Sequence, residues 1–401
     1  MIKFNNMPAR IQKLNKILIE KGLDALIVTS PTNIFYLTGF RGVSPLEREA
    51  ILLIATNEST LITTRLYQTE ANRLKTKDLD VKIAAERGEI NKFLKELLIT
   101  SKTIAFEEHD LKFSEFRQFK RILNQTSQYS SSDPAPRGSR EASNLKFSTS
   151  SNNNPLIKHK LIPTRHLVED LRLVKTADEI KNIEQAQIIS QRAFDQIIKT
   201  IKIGQTEVEI AQRLSQIIKS LGAQGLAFDP IIASGSNSAK PHHITSDRRL
   251  TINDVLLLDF GAKYKNYCAD LTRTIFIGRA SDRFRNIYTH VLTSQKKTLS
   301  KIKSGIKASH AHKHASSHFK KHKLDSYFLH SLGHGTGLEV HEKPSISTKS
   351  KDILKEGMVF SVEPGLYFPA WGGVRIEDLV TIRNGNAQIL GKSAQLIQIT
   401  P

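Results

Sequence analysis

The chain has 401 residues, 59 lysines and arginines against 39 aspartates and glutamates, a formal net charge of +20, and one cysteine. That length suggests two to three domains; the single thiol excludes an internal disulfide and suits a reducing cytoplasm; and no apolar run is long enough to span a bilayer. The basic surplus permits weak attraction to nucleic acid or acidic surfaces, but the lysines and arginines are dispersed along helical patterns without interleaved aromatics. They read as solvated faces, and a nucleic-acid partner is not expected. The opening stretch, MIKFNNMPARIQKLN, lacks the apolar core of a signal peptide. Residues 8–22 carry the spacing of an amphipathic helix closed by Gly22. A strand at 25–29, a break at Pro31 and the segment NIFYLTGF follow, then strands at 51–55 and 61–64 flanking a turn at 57–59. Beyond Arg73 helix and strand signals alternate, ending in a helix over 113–123. Residues 1–126 thus read as a small α/β domain with no phosphate-binding glycine loop. The stretch 127–155 is rich in Ser, Asn and Pro with almost no apolar periodicity, so 127–160 is expected to be a disordered insertion or linker.

A second domain is expected over 161–401. Thr176 with Glu179, and Thr206 with Glu209, have capping-box spacing for helices reaching about residue 200 and Gly222. These helices should cover the outer face of a curved, mainly antiparallel sheet. Strands begin near 229, followed by the polar loop 234–247 with His242 and His243. Two more helices are expected at 283–301 and 308–323. The second carries His310, His314, His318 and His322 at i, i+4 spacing on one face, read as facing solvent and not counted as a site. Cys268 reads as a buried small side chain, because no nearby motif supplies a base.

The chemistry concentrates in two hairpins. Val255–Phe260 and 267–276 read as strands around a turn centred on Tyr264 and Lys265, which places Asp259 opposite Asp270. Like charges directly opposite destabilise a sheet, so this pair must share a proton or bind a cation, and a divalent metal is the more productive answer. Strands at 357–368 and 373–382, folded about Ala370, likewise bring Glu363 opposite Glu377. A single carboxylate in a strand usually marks an edge or a salt bridge; two acidic pairs do not fit that reading, and Arg375 could neutralise only one of the four. Between the hairpins HSLGHGTGLEVHE holds His330, His334 and His341, with His334 between Gly333 and Gly335, where backbones can approach closely. Imidazole added to carboxylates suits a transition ion.

The order Asp259, Asp270, His334, Glu363, Glu377 resembles the five-ligand pattern of the M24 metallopeptidases, the pita-bread fold. The words FDPIIASGSNSAKPHH, DFGAKYKNYCADLTRT, HSLGHGTGLEVHE, SVEPG and GGVRIED carry the resemblance over 161–401, and NIFYLTGF carries it more weakly over 8–127. The resemblance implies a creatinase-like N-terminal α/β domain that shapes the substrate entrance and mediates dimerisation. It implies a centre of two divalent ions, Mn2+ or else Co2+ or Zn2+, with a bridging hydroxide as nucleophile. Asp270 and Glu377 would bridge the ions, Asp259 would complete one, and His334 with Glu363 the other. Glu363 would also carry the proton to the leaving amine. His242, favoured over His243 by its place after Pro241, resembles the substrate-binding histidine; His341 and His330 resemble further active-site histidines, and Arg375 an outer group orienting the carboxylates.

Methionine aminopeptidases usually lack such an N-terminal domain, and creatinase-like members lose ligands that are all present here. The resemblance therefore points to the proline-specific branch, acting on peptides with proline second, where the imide lacks an N–H. Xaa-Pro aminopeptidase is the first expectation and Xaa-Pro dipeptidase (prolidase) the alternative. A non-catalytic pita-bread binding protein is the remote third.

Overall fold

A computed structural model describes residues 7–42, 48–56, 58–124, 158–392, 394 and 398–399. The expected insertion, as far as residue 157, and Asn57 of the expected turn lie outside the described residues. The chain divides into two compact units, Met1–Val168 and Glu169–Pro401.

In the first unit the amphipathic pattern becomes the helix Met7–Glu20, with Leu14 and Leu18 buried and Gly22 in the left-handed conformation just past its end. Pro31 does not break the chain; it opens the helix Pro31–Thr38. Proline suits a first turn because its missing N–H has no helical partner there, and the Ser30 side chain caps the Asn33 N–H. A six-stranded mixed sheet follows the order Asp80–Ala84, Ser59–Thr64, Ala50–Ala55, Ala25–Val28, Thr103–Glu107, Lys160–Thr164. The last strand pairs in parallel with Thr103–Glu107. Where the sequence reading starts the second domain at 161, the chain therefore makes one more strand of the first. Helices Arg87–Leu97 and Phe113–Asn124 close one core of this sheet through Ile90, Leu94, Phe119 and Leu123.

In the second unit both capping boxes are formed, with Thr176 and Thr206 each exchanging hydrogen bonds with the glutamate three residues on. They start the helices Ala177–Ile197 and Glu207–Ser220, whose apolar faces (Ile189, Phe194, Ile210, Leu214) pack on Leu256, Leu258, Phe260, Leu271 and Ile275. Strand alternation then turns Val255, Leu257 and Asp259 to the other face. A second helix pair, Asp282–Leu299 and Ala308–Lys321, lies against further strands. Ala311 and Ala315 share a core with Phe360, Val362, Val380 and Ile382, which turns the odd-numbered positions, including Glu363 and Glu377, away from those helices. Among the described residues of this unit the pairing is antiparallel except between Leu271–Ile277 and Gln398–Ile399. Mixed, mainly antiparallel sheets with helices behind them are the pita-bread architecture. Among the described residues, no helix is long and apolar enough to cross a membrane.

Candidate metal centre

The first hairpin folds around Lys265 and Asn266, both at positive φ, with Tyr264 paired to Tyr267. The turn sits one residue later than the sequence suggests, so the register moves by two and Asp259 pairs with Thr272, not Asp270. A two-residue shift preserves the face. Asp270 is therefore the diagonal neighbour of Asp259 on the same side. The second hairpin has the expected register. Val362 pairs with Asp378 and Gly365 with Arg375, and these two ladders share one alignment across the gap that holds Glu363 and Glu377. The hairpins are joined where the Glu377 N–H donates to the Thr272 carbonyl, 3.2 Å, and the Thr272 hydroxyl donates to Glu377 Oε2, 2.6 Å.

His334 enters from the short strand Gly333–Gly335. A Cβ on Gly333 would lie 2.0 Å from the Ser361 carbonyl oxygen, and one on Gly335 2.0 Å from that of Lys343. Both glycines are required by close backbone approach, as their spacing around His334 suggests. The Glu363 N–H donates to the Leu332 carbonyl at 2.9 Å, which holds Glu363 beside His334. The Nδ1 of His334 lies 3.1 Å from the Gly335 carbonyl, so Nδ1 carries the proton and donates. Its Nε2 then presents a lone pair, 3.5 Å from Asp270 Oδ2 and 3.4 Å from Glu363 Oε1. A lone pair aimed at two carboxylate oxygens is repulsive unless a cation or proton stands between them.

Three further observations fit a cation. Asp270, His334 and Glu377 each place one ligand atom within 4.8 Å of the others. Asp259 Oδ1, Asp270 Oδ1 and Glu377 Oε1 are buried without a hydrogen-bond partner, an arrangement native interiors avoid. Burial, followed by the neighbouring carboxylates, pushes Asp270 and Glu377 well above the usual carboxylate range. Burial also pushes Glu363 up to about 8, against the pull of Arg375. Four carboxylates and one guanidinium carry a formal charge of −3; two divalent ions would turn this to +1, leaving room for one anion. The residues fit a dinuclear oxygen-rich centre.

Arg375 is buried and forks across the centre. It pairs with Asp259 Oδ2, and donates to Thr272 Oγ1 at 3.2 Å, to the Tyr367 hydroxyl at 2.8 Å and to the Pro241 carbonyl at 3.3 Å. The Tyr367 hydroxyl in turn meets His330 Nε2 at 2.8 Å, while His330 Nδ1 meets its neighbour's carbonyl at Ser331, 2.7 Å. Both ring nitrogens are thus engaged, and burial, then Arg375, lowers His330 to about 3, so its ring is neutral. Tyr367 and Thr272 are site residues that sequence reasoning missed. The alternation Glu363, Gly365, Tyr367 along one strand was the available signal. His341 is exposed and crosses the His334 ring edge-on, centroids 4.3 Å apart. His242 is exposed and close enough to His330 and His341 to disfavour their protonation. His243 is buried against Glu207, Nε2 to Oε2 2.8 Å, so it serves the scaffold. Cys268 is buried too, its thiol pushed up to about 12 by that burial.

Known proteins share this arrangement. The family described as "Metallopeptidase family M24" matches residues 181–384, and "Creatinase/Prolidase N-terminal domain" matches 10–142. The chain is 35% identical to a Xaa-Pro dipeptidase of Pyrococcus furiosus, over 96% of this chain and 99% of that one. Among solved structures, it is similar to a Xaa-Pro dipeptidase from Bacillus anthracis with a TM-score of 0.85 at 32% identity, covering 98% of this chain and 100% of the other. It is also similar to an X-Pro aminopeptidase from Thermotoga maritima with a TM-score of 0.80 at 32% identity, covering 96% and 100%. With Asp270, His334 and Glu377 gathered within 4.8 Å, Glu363 beside His334, and relatives that span nearly its whole length, the chain belongs to metallopeptidase family M24 and is a metal-dependent hydrolase.

Proposed function

We propose that the chain is a prolidase that hydrolyses Xaa-Pro dipeptides, the reading placed second from the sequence. The observation that carries it is the acidic and imidazole group in which Asp270, His334 and Glu377 stand within 4.8 Å of one another, Glu363 stands beside His334, and the buried Asp259 Oδ1 has no hydrogen-bond partner. Relatives of near-equal length named Xaa-Pro dipeptidase support the dipeptide over a longer substrate. Aminopeptidase action, the first expectation, stays as the second reading because of the Thermotoga neighbour.

In this reading the five residues hold two divalent ions, Mn2+ in first place and Co2+ or Zn2+ as substitutes, since oxygen-rich sites admit several ions. Bound ions supply Lewis acidity toward the scissile carbonyl and an acidified water. The chain's own groups do the rest. Glu363, which burial makes a ready proton holder, hands the proton to the leaving proline nitrogen. His242 and His341, both exposed beside the centre, contact the substrate. Arg375 orients Asp259, and through Tyr367 it holds His330 in place, so Arg375 and His330 position other groups. A cytoplasmic homodimer belongs to the same reading.

The test is hydrolysis of a Xaa-Pro dipeptide beside a Xaa-Pro-Yaa tripeptide, with protein stripped of metal and resupplied with Mn2+. Metal-dependent cleavage of the dipeptide alone is expected. Cleavage of the tripeptide transfers the chain to the aminopeptidase reading. Failure on both with metal bound ends proline specificity, and failure to bind metal favours a binding module.

A further inference from the structure

The two helices behind the second hairpin bring three more histidines together. His290 lies on Asp282–Leu299, His318 lies near the end of Ala308–Lys321, and His322 caps that second helix. One ligand nitrogen from each lies within 4.8 Å of the others, and among the described residues this is the other such group besides the acidic centre. The sequence places His318 and His322 one turn apart but gives no hint of His290, which packing supplies. On the face read as solvent-exposed, His310, His314 and His322 are exposed but His318 is buried, and His290 of the other helix is half-buried. The two helices are fixed against each other. Val291 and Phe319 share a core, and the Ser294 hydroxyl donates to the Ala315 carbonyl at 3.1 Å. The histidines are therefore held by a packed interface and not by a loop.

We propose that His290, His318 and His322 form a second metal site that takes one late first-row divalent ion, Zn2+, Ni2+ or Cu2+. Zn–N bonds of ~2.0–2.1 Å imply nitrogens ~3.3–3.4 Å apart around a tetrahedral ion. His290 Nδ1 and His318 Nε2 already stand 3.4 Å apart. His322, with ring centroids 4.5 Å from His290 and 4.9 Å from His318, is the exposed member and is free to close the third corner. Water from the solvent side fills the fourth. A plain hydrogen bond between two neutral imidazoles would account for the first pair but not for a third ring gathered on the same point.

The donor set decides which ion. All three ligands are imidazoles, which bring no negative charge to a metal, and burial, then Lys297 and its histidine neighbours, lowers His318 to about 4, so its lone pair is available at neutral pH. Lys297 and Lys321 both act on His318, and their charge opposes any cation. An ion must therefore gain enough from imidazole itself, which the late transition ions do and oxygen-seeking Mn2+ or Mg2+ do not. The site thus prefers metals in the opposite sense to the carboxylate centre. Its position also gives it a structural effect. On the first helix the Gln295 amide donates to the Val362 carbonyl at 3.1 Å and to Asp378 Oδ2 at 3.0 Å, beside Glu363 and Glu377. On the second, His312 Nδ1 accepts from the Leu332 N–H at 3.2 Å, two residues before His334. An ion clamping the helices braces the supports of the catalytic ligands.

The experiment compares Zn2+ uptake by equilibrium dialysis near neutral pH in the full chain, in His322→Gln and in His290→Gln/His322→Gln. The carboxylate centre is the same in all three, so the difference belongs to the histidines. The full chain is expected to bind one Zn2+ more than the double variant. His322→Gln, a change at an exposed position outside the packed cores, is expected to hold that extra ion at least tenfold more weakly. Zn2+ should also raise the Tm of the full chain more than that of either variant. Equal stoichiometry in all three proteins overturns the proposal, as does an extra ion that Mn2+ displaces as readily as it displaces Zn2+ from the carboxylates.

Discussion

Replacing Arg375 by methionine separates two jobs that one buried side chain performs. The guanidinium pairs with Asp259 Oδ2, and without it that carboxylate has no hydrogen-bond donor among its described contacts, since its Oδ1 already lacks one. Two effects then compete. Arg375 repels an incoming cation, so its loss should help metal binding by charge alone. Yet the same charge favours ionisation of Asp270, Glu363 and Glu377, and a metal must otherwise displace protons from them. Loss of an outer partner typically weakens metal binding about 10- to 100-fold, equivalent to about 1.4–2.7 kcal/mol, and orientation and ionisation are expected to win over repulsion. The assay is calorimetric titration of stripped protein with Mn2+. Tyr367→Phe is the companion variant. It removes the hydroxyl that links Arg375 to His330 and leaves the Asp259 pair intact, so it should lower turnover without changing Mn2+ affinity. Arg375→Met binding Mn2+ as tightly as the unaltered chain, or Tyr367→Phe losing as much affinity, would refute the reasoning.

Gly335→Ala puts a methyl 2.0 Å from the Lys343 carbonyl oxygen, a backbone atom that cannot step aside. Overpacking of this kind costs about 1–3 kcal/mol, and here it also displaces His334, so both Tm and Mn2+ stoichiometry should fall; an unchanged stoichiometry would show that His334 is not held by this strand. Acid stability offers a separate check at Glu207. Burial would raise its pKa, but hydrogen bonds from Ser246, His243 and Ser234 hold it down to about 2. A depressed carboxylate stabilises the fold above its unfolded pKa of about 4.3 and loses that contribution as the pH falls toward about 2. The contribution is at most about 3 kcal/mol. Glu207→Gln should therefore unfold more readily than the unaltered chain at neutral pH, with the gap narrowing in acid; a gap that stays constant with pH contradicts the assignment.

What the sequence made legible was whatever period and local chemistry determine. Both capping boxes, the second hairpin's register about Ala370, and the glycines flanking His334 were readable because each depends on residues near in sequence. The first hairpin's turn was misplaced by one residue because Lys265 and Asn266, not glycines, take the positive φ; the acidic face survived only because the register error was even. Pro31 was misread because the residue that breaks a helix interior is well suited to a helix's first turn. Tyr367 was overlooked although it shares the face of Glu363 within a hairpin read correctly, whereas Thr272 and His290 were out of reach for a different reason. Their partners Glu377 and His318 lie on a distant strand and on another helix, so only packing brings them together.

The way the two hairpins meet also sets an order of events during folding. Asp259 with Asp270, and Glu363 with Glu377, each sit within one hairpin, whose ladder closes through contacts local in sequence. Uniting them requires the Glu377 N–H to reach Thr272, more than a hundred residues away, and contacts of such span form slowly. Each hairpin alone offers two of the four carboxylates, and His334 comes with the second through the Leu332–Glu363 contact. The complete four-carboxylate centre therefore exists only once the long-range seam has closed, so the strongest concentration of negative charge in the fold is assembled by its slowest class of contact.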